Sequence, residues 1–404
     1  MKRDVRIVYN GMFKNEAGII TRMLESVYKH IDYYVIQDNG STDGTPDIIK
    51  NFFEEKGIPG VIYFTPWVNF GHNRNHTLQK CLSLNDTHKC EYIIRIDADE
   101  ILEVDDDFDW NMMRQKDAWN VYCNYNNWTV YRMWVWKTSL PWEFTEFSRH
   151  ETIQLENEGS YAQGTLPQSF RHVFRGGGAT WSNVYKYAID GLELEKDQLN
   201  WFKKKGKTDN YHFFYTARSY AYHLGDGSVK ITYPYPGYED EIARRCIWFF
   251  DTYLNVNYPT HKQGGANFND RWVYEAYYIS AGMHLKLKEY DIFLQKSLKA
   301  FAYGPDRNES IIEMIKYYTD INEKMLALKY CSFIIDNDFV GQIDALPNNY
   351  SNKHWQIPER MLNLALATGH KPDQYRAAVK MKTAAYFEEM PERLKVLVNG
   401  LLNS

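Results

Sequence analysis

Tyr92-Ile93-Ile94-Arg95-Ile96-Asp97-Ala98-Asp99-Glu100 is the stretch whose reading decides the fold. A short apolar, β-prone run stops abruptly at a group of acids, as a buried strand does where it gives way to a loop. The same grammar recurs upstream. Val5 to Tyr9 is a β-rich apolar run, and Ile19, Ile20, Met23, Leu24, Val27 and Ile31 follow it at helical spacing. Tyr33 to Ile36 is a second strand, ended by the dense turn signal Asp38-Asn39-Gly40-Ser41-Thr42-Asp43-Gly44. Thr45-Pro46-Asp47 then opens a helix with a hydroxyl cap, an early proline and an acid in the first turn, and Gly57 can end it. Val61 to Phe64 is a third strand, and a short helix runs over 73–82. The alternation predicts an α/β, Rossmann-like, mostly parallel sheet with helices on both faces. Ligands of such sheets bind beyond the carboxyl ends of the strands, where both acid clusters lie.

Beyond this frame the pattern changes. Residues 110–185 are irregular and rich in Trp and Tyr, and the chain from about 186 onward reads as helical. Glu275-Ala276-Tyr277-Tyr278 and Glu309-Ser310-Ile311-Ile312 open similar amphipathic stretches 34 residues apart, with a third near Glu359. That spacing predicts an array of helical hairpins of tetratricopeptide type. At 404 residues the chain is long enough for two domains.

Composition excludes some functions. A net charge of −5 argues against a nucleic-acid binder. No apolar run approaches the ~20 residues of a membrane span, and MKRDVRIVYN turns polar too soon for a signal peptide. The cysteines 81, 90, 123, 246 and 331 are scattered, odd in number and without a C-x-x-C, as in a reduced cytoplasmic protein. Aromatic residues are unusually frequent at 16%; a large aromatic core covers most of them, and some can serve as sugar platforms, since flat rings pack well on the apolar face of a pyranose.

Two features carry chemistry. Asp97 and Asp99, one residue apart at a strand end, can share a divalent ion, one binding the metal and the other its water or a ribose; hard oxygen ligands suit Mg²⁺ or Mn²⁺. Asp105, Asp106, Asp107 and Asp109 read instead as a solvated acidic loop. A carboxylate such as Asp38 can accept the N–H of a uracil or guanine ring, although the same segment also reads as a turn with Asx caps.

Taken together, Lys14-Asn15-Glu16, Asp38 through Thr45, Asn69-Phe70-Gly71-His72-Asn73-Arg74-Asn75 and Asp97-Ala98-Asp99-Glu100 resemble, in order and spacing, the family 2 glycosyltransferases. Leu140-Pro141-Trp142, His150-Glu151 and Tyr211 through Tyr220 resemble a subgroup in which a tetratricopeptide-like region follows the catalytic domain. The resemblance implies a GT-A fold over 1–225, a helical domain over 226–404, a nucleotide-sugar donor with UDP the commonest nucleotide, and inversion at the anomeric carbon. It implies that Asp38 contacts the base with Asp43 nearby, that Arg74 pairs with phosphate, that Asp97 faces the ribose or metal and that Asp99 ligates the metal. His172, ahead of Gly176-Gly177-Gly178, would complete the metal sphere, and the glycines would form a closing loop. Lys186 and Arg175 could approach the diphosphate. Glu151, oriented by His150, would be the general base on the acceptor hydroxyl.

The acceptor, a glycan or glycoconjugate, is expected near Trp128, Tyr131, Trp134, Trp136 and Trp142, between the metal motif and the proposed base. The helical region could bind a protein partner, pair two copies or brace the catalytic domain. Two rivals remain: a nucleotidyltransferase, whose usual Gly-rich, lysine-containing loop is missing from residues 10–16, and a non-catalytic sugar-binding scaffold.

Overall fold

The computed structural model describes residues 4–403 apart from 126–127, 149, 158, 178–184, 207, 209, 225–234, 263–269, 306, 337–355, 384–386 and 388–389, and without the side chains of 128, 185–190, 210, 223, 257–262, 270 and 356. The chain divides into two compact units at 209/210.

In the first unit, β1 (Ile7–Phe13), β2 (Tyr33–Asp38), β3 (Gly60–Phe64) and β4 (Tyr92–Arg95) pair in parallel in the order β3-β2-β1-β4. Between them run α1 (Ile20–Val27), α2 (Thr45–Lys56) and α3 (Phe70–Thr87). The chain leaves β1 toward β2 and returns to β4 on the other side, so the order reverses between β1 and β4. Ligands of open α/β sheets bind at the carboxyl ends flanking such a reversal. The residues found there are Lys14 to Ala17 after β1 and Asp97 to Asp99 after β4.

Beyond β4 the sheet is mixed. β7 (Trp128–Lys137) pairs antiparallel with β4 and with β6 (Ala118–Tyr125). β6 pairs in parallel with β11 (Phe170–Phe174) and β10 (Gln163–Thr165), and β11 pairs antiparallel with β5 (Glu100–Val104). Here the sequence showed no regular period. The reason is burial on both faces: Trp134, Val135 and Trp136 are consecutive and all buried, so the usual alternation is absent. A separate two-stranded ribbon joins β8 (Trp142–Phe144) to β9 (Ile153–Leu155).

Helix ends follow local chemistry. Gly44, at φ +85°, caps α2, while the Asp43 carboxylate accepts from the Thr45 amide at 3.1 Å and its hydroxyl at 2.6 Å. Gly57, at φ +68°, ends that helix. α3 starts earlier than its apolar spacing suggests, because the Asn69 side chain accepts the His72 amide at 2.7 Å. α4 (Tyr185–Lys205) closes the unit.

The second unit is helical: α5 (Asn210–Leu224), α6 (Tyr238–Lys262), α7 (Asp270–Lys286), α8 (Tyr290–Tyr303), α9 (Glu309–Asp320), α10 (Lys324–Asp336), α11 (Gln356–Thr368), α12 (Lys371–Thr383) and α13 (Glu392–Leu402). Each packs on its successor, and α7 also touches α5 and α9, the nearest-neighbour pattern of a helical stack. The apolar face of α5, with Phe213, Phe214, Ala217 and Tyr220, joins that of α6. Hence α5 belongs with the helices and not with the sheet. Glu309 opens α9, but Glu275 lies inside α7, so their 34-residue spacing does not mark equivalent helix starts. Among the described residues no helix is long and apolar enough to cross a membrane.

Trp136 is fully buried beside β4 and meets Phe144 edge-on at 5.9 Å. Trp136→Ala is expected to cost about 3–5 kcal/mol, read as a lower midpoint in urea unfolding.

Candidate active site

The β1–β4 reversal gathers acids. Glu16 follows β1, and its carboxyl is pushed up to about 7, first by burial and then by the charges of Asp99, Asp43 and Asp97. Asp99 is pushed up to about 6 by burial, then by Asp97 and Glu100. Burial works against the charge of Asp97 too, but Arg95, Arg74 and Arg132 outweigh it and hold this carboxyl well below the usual range. Two acids that repel and one that is compensated thus share one crevice.

Arginines tie the crevice together. Arg74, on the first turns of α3 and only 4% exposed, donates from Nε to Oε1 of Glu151 at 2.6 Å and from Nη2 to Oδ1 of Asp97 at 3.3 Å. Arg95, at the end of β4, places Nη2 at 3.4 Å from both Asp97 and Glu151. Glu151 therefore receives both guanidiniums on one oxygen, Oε1. Buried charges of this kind persist only when paired, since an isolated one costs several kcal/mol (roughly) to desolvate.

The motif 69–75 explains how Glu151 gets there. Asn69 caps α3. Gly71 lets the helix approach the segment after β8, for a Cβ there would meet the Thr145 carbonyl oxygen at 1.9 Å. Asn73 bonds Asn39 at 3.1 Å and the Val68 amide at 2.9 Å. Asn75 accepts from the Phe144 amide at 2.6 Å and donates to its carbonyl at 2.8 Å. The motif thus clamps the β8–β9 ribbon, whose loop carries Glu151, onto the strand ends. His150 takes φ +57°, a left-handed conformation that turns the loop just before Glu151.

Each remaining expected residue has a place. Asp38 ends β2, 2% exposed; Oδ1 accepts from the Gly40 and Ser41 amides at 3.0 and 2.9 Å, and the buried Oδ2 has no partner. Asp43 is taken up by its own loop, accepting from Ala17 at 2.9 Å as well as from Thr45. His172 lies apart from the acidic crevice contacts: it is 0% exposed on β11, with Nδ1 3.5 Å from Glu100 and its ring 4.9 Å from Trp134. Arg175 pairs through its guanidinium with Glu103 at 3.2 Å, while its amide donates to the Asp99 carbonyl at 2.8 Å. The side chain of Lys186 lies outside the described residues, as do that of Trp128 and all of Gly178. Gly176 and Gly177 both take positive φ. Trp134 is buried, with the guanidiniums of Arg95 and Arg132 over its ring at 5.1 and 5.0 Å, so it braces cations. Trp136 and Trp142 are core, while Tyr131 is 58% exposed.

Among the described residues no group of three or more His, Cys, Asp or Glu gathers at metal-holding distance. The chemistry of the donor set still suits a hard cation, because Glu16 and Asp99 are oxygen ligands whose mutual repulsion a cation would relieve. The sequence reading assigned no role to Glu16, Arg95 or Arg132. For the two arginines a signal existed, namely a cation inside an apolar strand, which must find a partner when buried.

Residues 12–128 match the model of the family described as Glycosyl transferase family 2, so the resemblance drawn from the motifs holds over that segment. No curated protein matches the sequence. Similar solved structures include S. aureus TarS 1–349, at 11% identity and TM-score 0.34, covering 74% of this chain and 92% of that one. A longer TarS structure gives the same identity and score over 55% of its chain. TarS 1–349 in complex with UDP gives 10% identity and TM-score 0.31, over 74% of this chain and 92% of that one.

Glu16 and Asp99 bind protons more tightly folded than unfolded. Their contribution to stability is complete below about pH 4 and is lost as pH rises through about 6 to 7. Thermal unfolding of the metal-free protein should therefore show Tm falling between about pH 5 and 7.5, and Glu16→Gln should flatten the upper part of that fall. An equally steep fall in the variant would contradict the assignment.

Proposed function

We propose that the first unit is an inverting glycosyltransferase that moves a sugar from a nucleoside diphosphate donor, UDP by preference, to a hydroxyl of a glycan acceptor. The observation that carries this reading is the meeting, at the β1–β4 reversal, of donor-side acids with a second carboxylate, Glu151, brought in by Arg74. The family match over residues 12–128 supports it.

In this reading the unpartnered Oδ2 of Asp38 accepts the N–H of the base. Asp99, with Asp97 or Glu16, would hold Mn²⁺ or Mg²⁺. When bound, such an ion neutralises the charge that develops on the departing diphosphate. His172, buried against Glu100, is better placed to support that acid than to face the crevice. Glu151, whose Oε1 is held by two guanidiniums, presents Oε2 to the acceptor. One bond forms between the acceptor oxygen and the anomeric carbon as the bond from that carbon to phosphate oxygen breaks. The hydroxyl proton passes to Glu151, and the electron pair leaves with the diphosphate. A single displacement of this kind inverts the anomeric centre. The buried, unbridged cysteines fit a reducing compartment, and we read the site of action as cytoplasmic.

The test is nucleotide release from UDP-sugars by the purified protein, with and without Mn²⁺. Asp99→Asn should abolish the Mn²⁺-dependent thermal shift given by a bound UDP-sugar. Glu151→Gln should lower kcat by about 10²- to 10⁴-fold while nucleotide binding survives. No release and no metal-dependent nucleotide binding would overturn the reading.

A further inference from the structure

The second unit has a cavity of its own. Arg244, Trp248, Asp251, Thr252 and Asn255 lie at successive i, i+4, i+7, i+8 and i+11 positions of α6, forming one stripe, and His284 of α7 completes the wall. It is a groove open to solvent, offering about 340 Å³.

The core face of α6 is a different stripe, with Ile242, Ala243, Cys246, Phe249 and Phe250. A solvated stripe beside it needs no indole, yet Trp248 stands there 58% exposed. Its ring is held in place by near-perpendicular contacts, 4.8 Å from Phe249 and 6.4 Å from Phe213. It is thus a fixed, wet aromatic platform.

The polar lining is already neutralised. Arg244 pairs with Glu289 at 3.1 Å, and Lys296 pairs with Asp251 at 2.5 Å. Such a lining offers donors and acceptors without an excess of either charge. His284 is part of the same neutralised set. It is 6% exposed, and its Nδ1 lies 2.6 Å from Glu289, which fixes that nitrogen as the donor. The other nitrogen, Nε2, is fully buried, so the histidine walls the groove without offering it a polar atom.

An aromatic platform, balanced charges and an amide fit a ligand with one apolar ring face and a rim of hydroxyls. We propose that this groove is a carbohydrate-binding subsite on the helical unit, taking a neutral sugar residue with its ring stacked on Trp248 and its hydroxyls meeting the polar side chains of the α6 stripe. The proposal does not depend on the transferase reading of the first unit.

Saturation-transfer NMR on the full chain with maltotriose, cellotriose, mannotriose and chitotriose tests it. At least one trisaccharide should bind. Trp248→Ala should weaken it by about tenfold or more, Asn255→Ala should weaken it less, and Asp99→Asn should leave it unchanged. Circular dichroism checks the fold, and Asn255→Ala decides if Trp248→Ala fails to fold. Absence of binding by all four sugars, wild-type affinity in the folded α6 variants, or loss of binding in Asp99→Asn would overturn the proposal. So would sedimentation showing that Trp248→Ala dissociates a dimer without affecting any sugar.

Discussion

The first unit depends on the buried guanidinium of Arg74, which joins Glu151 on one side to Asp97 on the other. Removing one member of such a buried set leaves a charge without a partner, at a cost of about 3–5 kcal/mol. That penalty makes the arrangement nearly obligatory. Without Glu151, Arg74 keeps only its longer contact to Asp97, and without Arg74 the two carboxylates keep only Arg95, at 3.4 Å from each. Arg95 adds a second tie between the same two acids and is itself braced by the Trp134 ring.

Everything around Arg74 serves its position. Asn69 starts α3 at the right residue, and Gly71 lets the helix sink against Thr145. Asn75 bonds both backbone groups of Phe144. Asn73 reaches Asn39, just past Asp38. The end of β2, the ribbon loop and the acids after β4 are therefore set by one helix start. Burial and neighbouring acids favour the protonated forms of Glu16 and Asp99, and an incoming cation would relieve that repulsion.

Much of this frame is legible in the sequence, for stated reasons. β1 to β4 are short, apolar and sharply ended, and their order places Asp38 and Asp97 at carboxyl ends. What the sequence hides is non-local. Glu16 matters because β1 lies beside β4, an adjacency made by a crossover and invisible to local periodicity. The aromatic set around Trp134 and Trp136 reads as one or two acceptor-lining rings among core residues, and the sheet buries these two. His172, read as a ligand from its place in the chain, lies on β11 with Nδ1 3.5 Å from Glu100, a proximity made by the antiparallel pairing of β11 with β5. The end of α5 reads as the close of the first domain because only packing, not sequence, shows which side its apolar face joins.

The central claim is that Arg74 and Glu151 act as one unit. A double-mutant cycle on the rate of nucleotide release from a UDP-sugar, with Arg74→Met, Glu151→Gln and the pair, measures this directly. The account predicts that the pair is scarcely slower than the worse single variant, because each change already breaks the same bridge. Losses that simply multiply would show the two side chains acting independently and would contradict it.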